Sequence, residues 1–256
     1  MILRRIIEHV RTQNWTAVFL DFAIVVVGVF MGIQLGNWNA ARADERRARD
    51  YLERIRGDLL GDTSSLSVRK TFNETVISYG DRALAFAEAN EQDRRPDWPT
   101  VLAFFQASQL FPFSSNNATF DELRSAGELG LIENQELRTA LAQYYVTGSG
   151  AQADYILKYI PEYRETIRGL TPSTVTKYIW DQCHEEVGYE VQKLIECPEP
   201  DPGGREQLIL DGYLAHPTML AELRFWMSTL DTVQALLGIN ENTARELAAE
   251  IDRELE

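Results

Sequence analysis

The most extended apolar pattern in the chain covers residues 15–38, where only a few positions such as Asp21 and Gln34 are polar. A helix needs roughly 20 apolar residues to cross a bilayer. Trp15 and Trp38 stand at the ends of this run, and tryptophan rings prefer the boundary between lipid and water. The pattern therefore predicts one transmembrane helix over residues 15–38.

The residues before this run carry a shorter helical pattern. Ile2, Ile6 and Val10 recur every four residues among charged positions, which predicts an amphipathic segment over residues 1–14 at the membrane surface. A cleaved signal peptide is the alternative, because small residues flank Arg42 at the spacing of a cleavage site. The apolar run is too long for a signal peptide, however, and we expect a retained anchor.

Beyond the run, apolar residues continue at helical spacing within a segment rich in good helix formers. They lie at Leu52, Ile55, Leu59, Val76, Ala83, Leu84 and Ala87. This pattern predicts a long juxtamembrane helix over residues 39–93 with a break near residues 57–65. The helix is expected to end at a linker that contains Pro96.

The remaining chain, residues 94–256, also shows helical periodicity and no alternation of the kind that marks strands. The predicted class is therefore all-α, with one N-terminal transmembrane helix followed by a helical-bundle soluble domain. Within that domain we expect residues 172–204 to be less regular, with a loop in the proline- and glycine-rich run over residues 197–204. Gly238 is expected to mark a kink or a stop in the last long helix.

Three helix starts are indicated by capping residues. Asp97 and Asn134 each precede an apolar helical pattern, as N-cap residues do. Thr119 is followed three residues later by Glu122, which is the spacing of a capping box. Helices are therefore expected to begin just after these three positions.

The charge of the chain limits its possible partners. The net charge is −14, while residues 1–43 carry +2 from four arginines against Glu8 and Asp21, so the remainder carries −16. A domain this acidic repels phosphate backbones, and we expect no nucleic-acid partner. The expected partners are membrane lipid and either a second copy of the chain or another membrane protein.

The side of the membrane on which the domain lies is indicated by two conflicting signals. More arginines follow the apolar run than precede it, which favours a cytoplasmic domain, although long domains cross membranes largely regardless of charge. Cys183 and Cys197 lie close in sequence and would form a disulfide in an oxidising compartment, two free thiols being the alternative. We expect a periplasmic domain.

Glycines recur on one face of the predicted span. Gly28, Gly32 and Gly36 are four residues apart, and glycines at this spacing let two membrane helices pack closely. Asp21 falls on nearly the same face, and Gln34 offers a further hydrogen-bonding group. These five residues predict a helix–helix contact. For the glycines, the alternative is the glycine content common to spanning helices. For Asp21, the alternative is a side chain that reaches the lipid headgroups.

Patterns typical of enzymes are weak in this sequence. It has no glycine-rich phosphate loop and no Gly-x-Ser-x-Gly motif. Cys183 and His184, with the acids that follow them, resemble a metal site, but the paired histidines of a zinc-binding helix are missing. We therefore expect no enzyme, no cofactor and no metal.

Two stretches together resemble a bacterial family of single-span membrane proteins, the domain of unknown function 6090. Residues 21–38 end in Val-Gly-Val-Phe-Met-Gly-Ile-Gln-Leu-Gly-Asn-Trp, and residues 119–145 begin Thr-Phe-Asp-Glu-Leu-Arg-Ser-Ala-Gly-Glu-Leu-Gly. The resemblance implies a single membrane span and a helical domain, with no established activity or cofactor. The region around Cys183 and Cys197 and the glycine at Gly238 depart from the family's pattern.

The second of these stretches has two interpretations. As a structural corner, it joins two capped helices through the turn-forming Gly127 and Gly130. As a ligand-facing turn, it would place Ser125, Asn134 and Tyr144 around a polar pocket. We favour the structural corner.

These patterns predict a non-enzymatic protein of the bacterial inner membrane that acts as an interaction or accessory subunit. Such a protein would assemble through its transmembrane helix and its soluble bundle. The alternative is a periplasmic sensory or ligand-binding module that signals through the long helix.

Overall fold

The computed structural model describes residues 15–188, 191–201 and 203–256. The chain divides into two compact units, of which the first ends at Asp50 and the second is Tyr51–Glu256. The amphipathic segment predicted over residues 1–14 lies outside the described residues.

The described residues form nine α-helices and one short hairpin. The helices are α1 (Trp15–Glu88), α2 (Trp98–Gln106), α3 (Ala118–Ser125), α4 (Gln135–Ala142), α5 (Ser149–Lys158), α6 (Glu162–Leu170), α7 (Ser173–Gln182), α8 (Glu206–Ala215) and α9 (Met219–Leu255). Short 3₁₀ turns occur at Glu91–Asp93 and Leu129–Leu131, and a π-helix at Gln143–Thr147 continues α4.

The class is predominantly helical rather than strictly all-α. Helices hold 77% of the residues and strands 3%, because two strands, β1 (His184–Val187) and β2 (Val191–Leu194), form an antiparallel pair. Each strand has four residues and no fully buried side chain, so no apolar alternation marks it in the sequence.

The region expected to be irregular is therefore more ordered than we predicted. Besides the hairpin it contains α7, whose residues Val175 and Ile179 are buried one turn apart. A disulfide joins Cys183 and Cys197 across the two ends of the hairpin, with their Cα atoms 5.2 Å apart. The backbone N–H of Ile195 also donates to the Cys183 carbonyl at 3.0 Å.

The break predicted near residues 57–65 is wrong, because α1 continues through them. Leu59 and Leu66 are fully buried on the inner face of the helix, while Gly57 and Gly61 are exposed. Each glycine costs a helix roughly 1 kcal/mol relative to alanine. Burial of one leucine contributes about 1.5–3 kcal/mol, which is enough to keep the helix intact.

A kink or a stop was predicted at Gly238, and the stop is wrong for the same reason. α9 runs without interruption from Met219 to Leu255. Leu237 and Ala244 are buried on either side of the glycine, so the apolar face of the helix continues across it.

Two of the three predicted caps are confirmed. The Asp97 carboxylate accepts from the Thr100 backbone N–H at 2.8 Å, and the Asn134 side chain accepts from two backbone N–H groups of the first turn of α4. The capping box at Thr119 is wrong, since α3 begins one residue earlier and Thr119 is buried within it. Glu122 instead forms an ion pair with Arg54 on α1.

Helix α9 packs antiparallel to the part of α1 that lies in the second unit. Glu88 near the end of α1 pairs with Arg224 near the start of α9 at 2.8 Å. Lys70, earlier in α1, pairs with Glu241, later in α9, also at 2.8 Å. These pairs show the antiparallel direction and the register of the two longest helices of the domain.

Two apolar clusters form the core of the second unit. The larger joins residues 66–87 to α2, to α5 through α8 and to the first part of α9, and the smaller joins residues 52–59 to α3, α4, the π-helix and the last part of α9. Residues 51–88 are therefore part of the domain core. The division that we predicted at residue 93, between a separate juxtamembrane helix over residues 39–93 and a domain over residues 94–256, does not separate compact units.

Candidate functional site

The apolar segment of α1 is the first candidate site, and it lies within the first unit. Its large apolar side chains, over residues 19–38, are all exposed, from 48% at Val26 to 70% at Phe19. Of the described helices, only α1 is long and apolar enough to cross a membrane, a judgement of length and composition alone. An exposed apolar surface of this extent marks a site of contact with a membrane or with another protein.

The glycines of this segment leave one face open. A side-chain carbon added at Gly28, Gly32 or Gly36 would meet nothing within 4 Å. Asp21 lies seven residues before Gly28 and falls on nearly the same side at 3.6 residues per turn. The glycine face is therefore as exposed as the rest of the segment.

Gln34 does not belong to the glycine face. It lies two residues after Gly32, which is about 200° around the helix at roughly 100° per residue. Phe30 and Trp38, one turn before and after it, share its side of the helix. The five residues that we grouped as one helix–helix contact therefore occupy two faces, and a single partner helix would not contact all of them.

The end of the apolar segment carries a pairing typical of a membrane boundary. The Arg42 guanidinium lies 4.1 Å from the centre of the Trp38 ring. The pair combines an apolar ring with a cation over its face, and residues at the lipid–water boundary combine apolar and polar parts in the same way.

A buried polar cluster around Tyr144 is the second candidate site, and it lies wholly within the second unit. Tyr144 is buried in the π-helix, and its hydroxyl donates to Asp62 Oδ2 at 2.7 Å. The backbone N–H of Asn116 donates to the other carboxylate oxygen of Asp62 at 2.8 Å. π-helical turns are rare and are frequent at functional sites.

Burial governs the acid–base behaviour of this cluster. It raises the pKa of the Asp62 carboxyl, and the hydrogen bonds from Asn116 and Tyr144 act in the opposite direction. Burial also raises the pKa of the Tyr144 phenol, and the negative charge of Asp62 raises it further. Tyr144 is therefore a neutral hydrogen-bond donor at physiological pH and not a base.

Asn240 on α9 completes the cluster. It is 1% exposed, and its Nδ2 lies 3.5 Å from the Tyr144 hydroxyl. Its Oδ1 is buried and has no hydrogen-bond partner among the described residues. A side-chain carbon at Gly150 would lie 2.3 Å from Asn240 Nδ2, so this close approach depends on the glycine.

A small cavity opens beside these side chains. Its volume is about 380 Å³, and it is lined by Ala140, Gln143, Tyr144, Thr147, Gly148, Asn240 and Thr243. Its lining includes the polar side chains of Gln143, Thr147 and Thr243, so it suits a small polar molecule.

The structure does not bring together the three residues predicted for a ligand-facing turn. Ser125 is exposed at the end of α3. Asn134 caps α4, and its Nδ2 donates to Glu254 at 3.0 Å. Tyr144 is the only one of the three that lines the cavity beside the π-helix.

Asp62 and Asn240 were not predicted as site residues, although the sequence carries a signal for both. Asp62 continues the apolar stripe of α1 between Leu59 and Leu66, and Asn240 continues that of α9 after Leu237. A polar residue at a core position requires a buried partner, and this requirement would have identified both.

The segment that resembled a metal site has another role. Cys183 is bonded to Cys197, and the His184 ring packs edge-on against Trp180 with 4.7 Å between ring centres. Among the described residues, no group of three or more His, Cys, Asp or Glu side chains is arranged to hold a metal ion.

No protein-family model, no curated protein and no solved structure matches this chain. The resemblance to the domain of unknown function 6090 therefore stays a prediction that depends on residues 21–38 and 119–145.

Proposed function

We propose that the chain is a membrane-anchored helical protein without enzymatic activity that acts as an interaction or accessory subunit. Residues 15–38 cross the membrane, and the glycine face contacts a helix of a second copy or of another membrane protein. The observation that carries the proposal is the contrast along α1. Every large apolar side chain of residues 19–38 is exposed, whereas Leu52, Ile55 and Leu59 are buried.

The proposed location is the bacterial inner membrane, with the domain on the periplasmic side. The disulfide between Cys183 and Cys197 supports this side, because disulfides persist in oxidising compartments and are rare in the cytosol. The high proportion of arginine after the segment does not oppose it strongly, since long domains translocate largely regardless of charge.

Membrane extraction tests the anchor. We expect the full chain to stay in the membrane pellet after washing with alkaline carbonate and to be released by detergent, with residues 1–43 still present by mass spectrometry. A chain that is released without detergent and begins after Ala43 would show a cleaved leader and overturn the proposal.

Ligand binding is a second candidate function, favoured by the cavity beside the π-helix. The cavity adjoins Tyr144, which is hydrogen-bonded to Asp62 on α1, so a bound molecule would act on the helix that continues into the apolar segment. Thermal unfolding in the presence of a panel of small polar molecules tests this function. A stabilising molecule should lose its effect when Asn240→Leu removes a polar side chain of the cavity lining, and a panel without any stabilising molecule would count against it.

A further inference from the structure

A long groove lies on the second unit, far in sequence from the apolar segment. One wall is the junction of α5 and α6, and the other is a face of α9, with a volume of about 1070 Å³ between them. Along α9 the lining residues recur every three or four positions from Thr218 to Thr232. At ~1.5 Å per residue this stripe is roughly 21 Å long, which is about four turns of a helix.

The groove exposes large apolar side chains at an unusual density. Tyr155, Tyr159, Ile160 and Phe225 are 68%, 70%, 60% and 76% exposed and all line it. Isolated exposed apolar residues are normal on protein surfaces, whereas a contiguous patch marks an interaction site.

The charges of the groove are of one sign. Its described lining contains Glu162, Glu165 and Glu222 and neither lysine, arginine nor histidine. Thr218 donates to Glu222 Oε1, while Oε2 is buried with no hydrogen-bond partner among the described residues. A cationic side chain from a partner would form ion pairs with the carboxylates of this lining.

We propose that this groove binds an amphipathic helix of a partner protein, with the apolar face of that helix against Phe225 and the tyrosines and its lysines or arginines against the three glutamates. The length of the stripe, its exposed apolar side chains and its three glutamates match the way in which grooves bind helices. This inference rests on the proposed function of an interaction subunit and names the chemistry of the partner.

The charge of the groove argues against the two other occupants. A second copy bound through the same groove in a symmetric pair would bring carboxylates against carboxylates, and like charges in contact are unfavourable. An anionic membrane surface would repel the same rim.

Peptide binding tests the groove on the full chain in nanodiscs of zwitterionic phosphatidylcholine, with empty nanodiscs as the blank. The probe is a fluorescent helical peptide of about 18 residues, with leucines on one face and lysines on the other. Fluorescence anisotropy should show binding that weakens at least tenfold in Phe225→Ser. Leu208→Ser is the matched control, because Leu208 on α8 is equally exposed at 76% and lies outside the groove.

The acidic rim is tested with the double variant Glu162→Gln and Glu222→Gln. It should weaken binding of the lysine peptide by a similar factor and reduce the salt dependence of binding. A peptide in which glutamate replaces lysine should not bind. Circular dichroism melts that match the parent chain would show that each variant is folded.

Three results would overturn the inference: no binding of the lysine peptide, equal losses in Phe225→Ser and Leu208→Ser, or an oligomer that dissociates in Phe225→Ser by sedimentation velocity. The last result would identify a second copy as the occupant. None of them affects membrane extraction, so a failure of the groove and a failure of the anchor are distinguishable.

Discussion

Asp62 is a carboxylic acid placed where α1 otherwise buries leucines, and this should make domain stability depend on pH. Because its pKa is raised by burial, the native state binds a proton at a pH where the unfolded chain has already released it. The stabilisation from this group is therefore greatest in acid and falls as the pH rises through the folded pKa. Asp62→Asn should remove this pH-dependent contribution to stability. The parent chain loses the contribution as the pH rises and the variant does not, so the melting temperature of the variant minus that of the parent should increase between about pH 4 and about pH 7.

Melting curves by circular dichroism across this pH range measure the effect. Asp231→Asn is the control for the substitution, because Asp231 is an exposed acid of the same domain. If the melting temperature of Asp62→Asn differed from that of the parent chain by the same amount at every pH, the assignment of Asp62 as the group with the raised pKa would be contradicted.

Gly150 is the residue that allows Asn240 to approach Tyr144. Gly150→Ala would place a methyl group 2.3 Å from Asn240 Nδ2, and overpacking of this kind typically costs about 1–3 kcal/mol. Gly212→Ala on α8 is the matched control, since its methyl group would meet nothing within 4 Å and should stabilise the helix by up to about 1 kcal/mol. Urea unfolding measures the free energy of unfolding of both variants. If Gly150→Ala destabilised the Asn240→Ala variant as much as it destabilises the parent chain, the collision with Asn240 would be excluded as the cause.

The candidate site beside the π-helix was only partly predictable at this scale. Tyr144 could be selected as a polar residue on an apolar helical pattern, but its partner Asp62 is 82 residues away in sequence. Contacts at such separations depend on how helices pack, and no local pattern encodes them. What the sequence does show is that Asp62 and Asn240 interrupt apolar stripes and so must find partners.

At the scale of the element, the apolar segment of α1 presents two different faces. Gly32→Leu would fill the open glycine face and should shift the complex toward the monomer, because close approach of two backbones needs small residues. Ala23→Leu makes a comparable change nine residues earlier, about two and a half turns away and so on the opposite side. It should leave the assembly unchanged.

Sedimentation velocity in mild detergent compares the masses of these two variants with that of the parent chain. Equal masses in all three would remove the glycine face as a contact. If Gln34→Leu alone lowered the mass, the face that carries Phe30 and Trp38 would be the contact instead.

The elements themselves were predicted to very different degrees. Long helices such as α9 repeat the apolar spacing for many turns, so they survive a local breaker such as Gly238 and are recognisable from the sequence. The hairpin of β1 and β2 has neither length nor a buried face, and it is bracketed by the bond between Cys183 and Cys197. A short element that is held by a disulfide has little local sequence pattern, so it is difficult to predict.

At the scale of the whole molecule, the proposed functions depend on surfaces that different parts of the sequence build. The exposed apolar segment is local and was predicted, since length and composition suffice for it. The groove was not, because its walls come from residues 155–165 and 218–232 and its acidic character emerges only when they meet. A sequence pattern thus identifies an exposed apolar segment more readily than it identifies a groove between helices.

The proposed topology makes opposite predictions for the two sides of the segment. Both native cysteines are in the disulfide, so a single cysteine introduced by Leu208→Cys reports on the domain and one introduced by Thr12→Cys reports on the amino terminus. A membrane-impermeant maleimide should label Leu208→Cys in intact spheroplasts and Thr12→Cys only after lysis. The parent chain is the control and should stay unlabelled in both states. The reverse pattern would place the domain in the cytoplasm, and a mature chain without any Thr12→Cys label after lysis would show that the segment is removed.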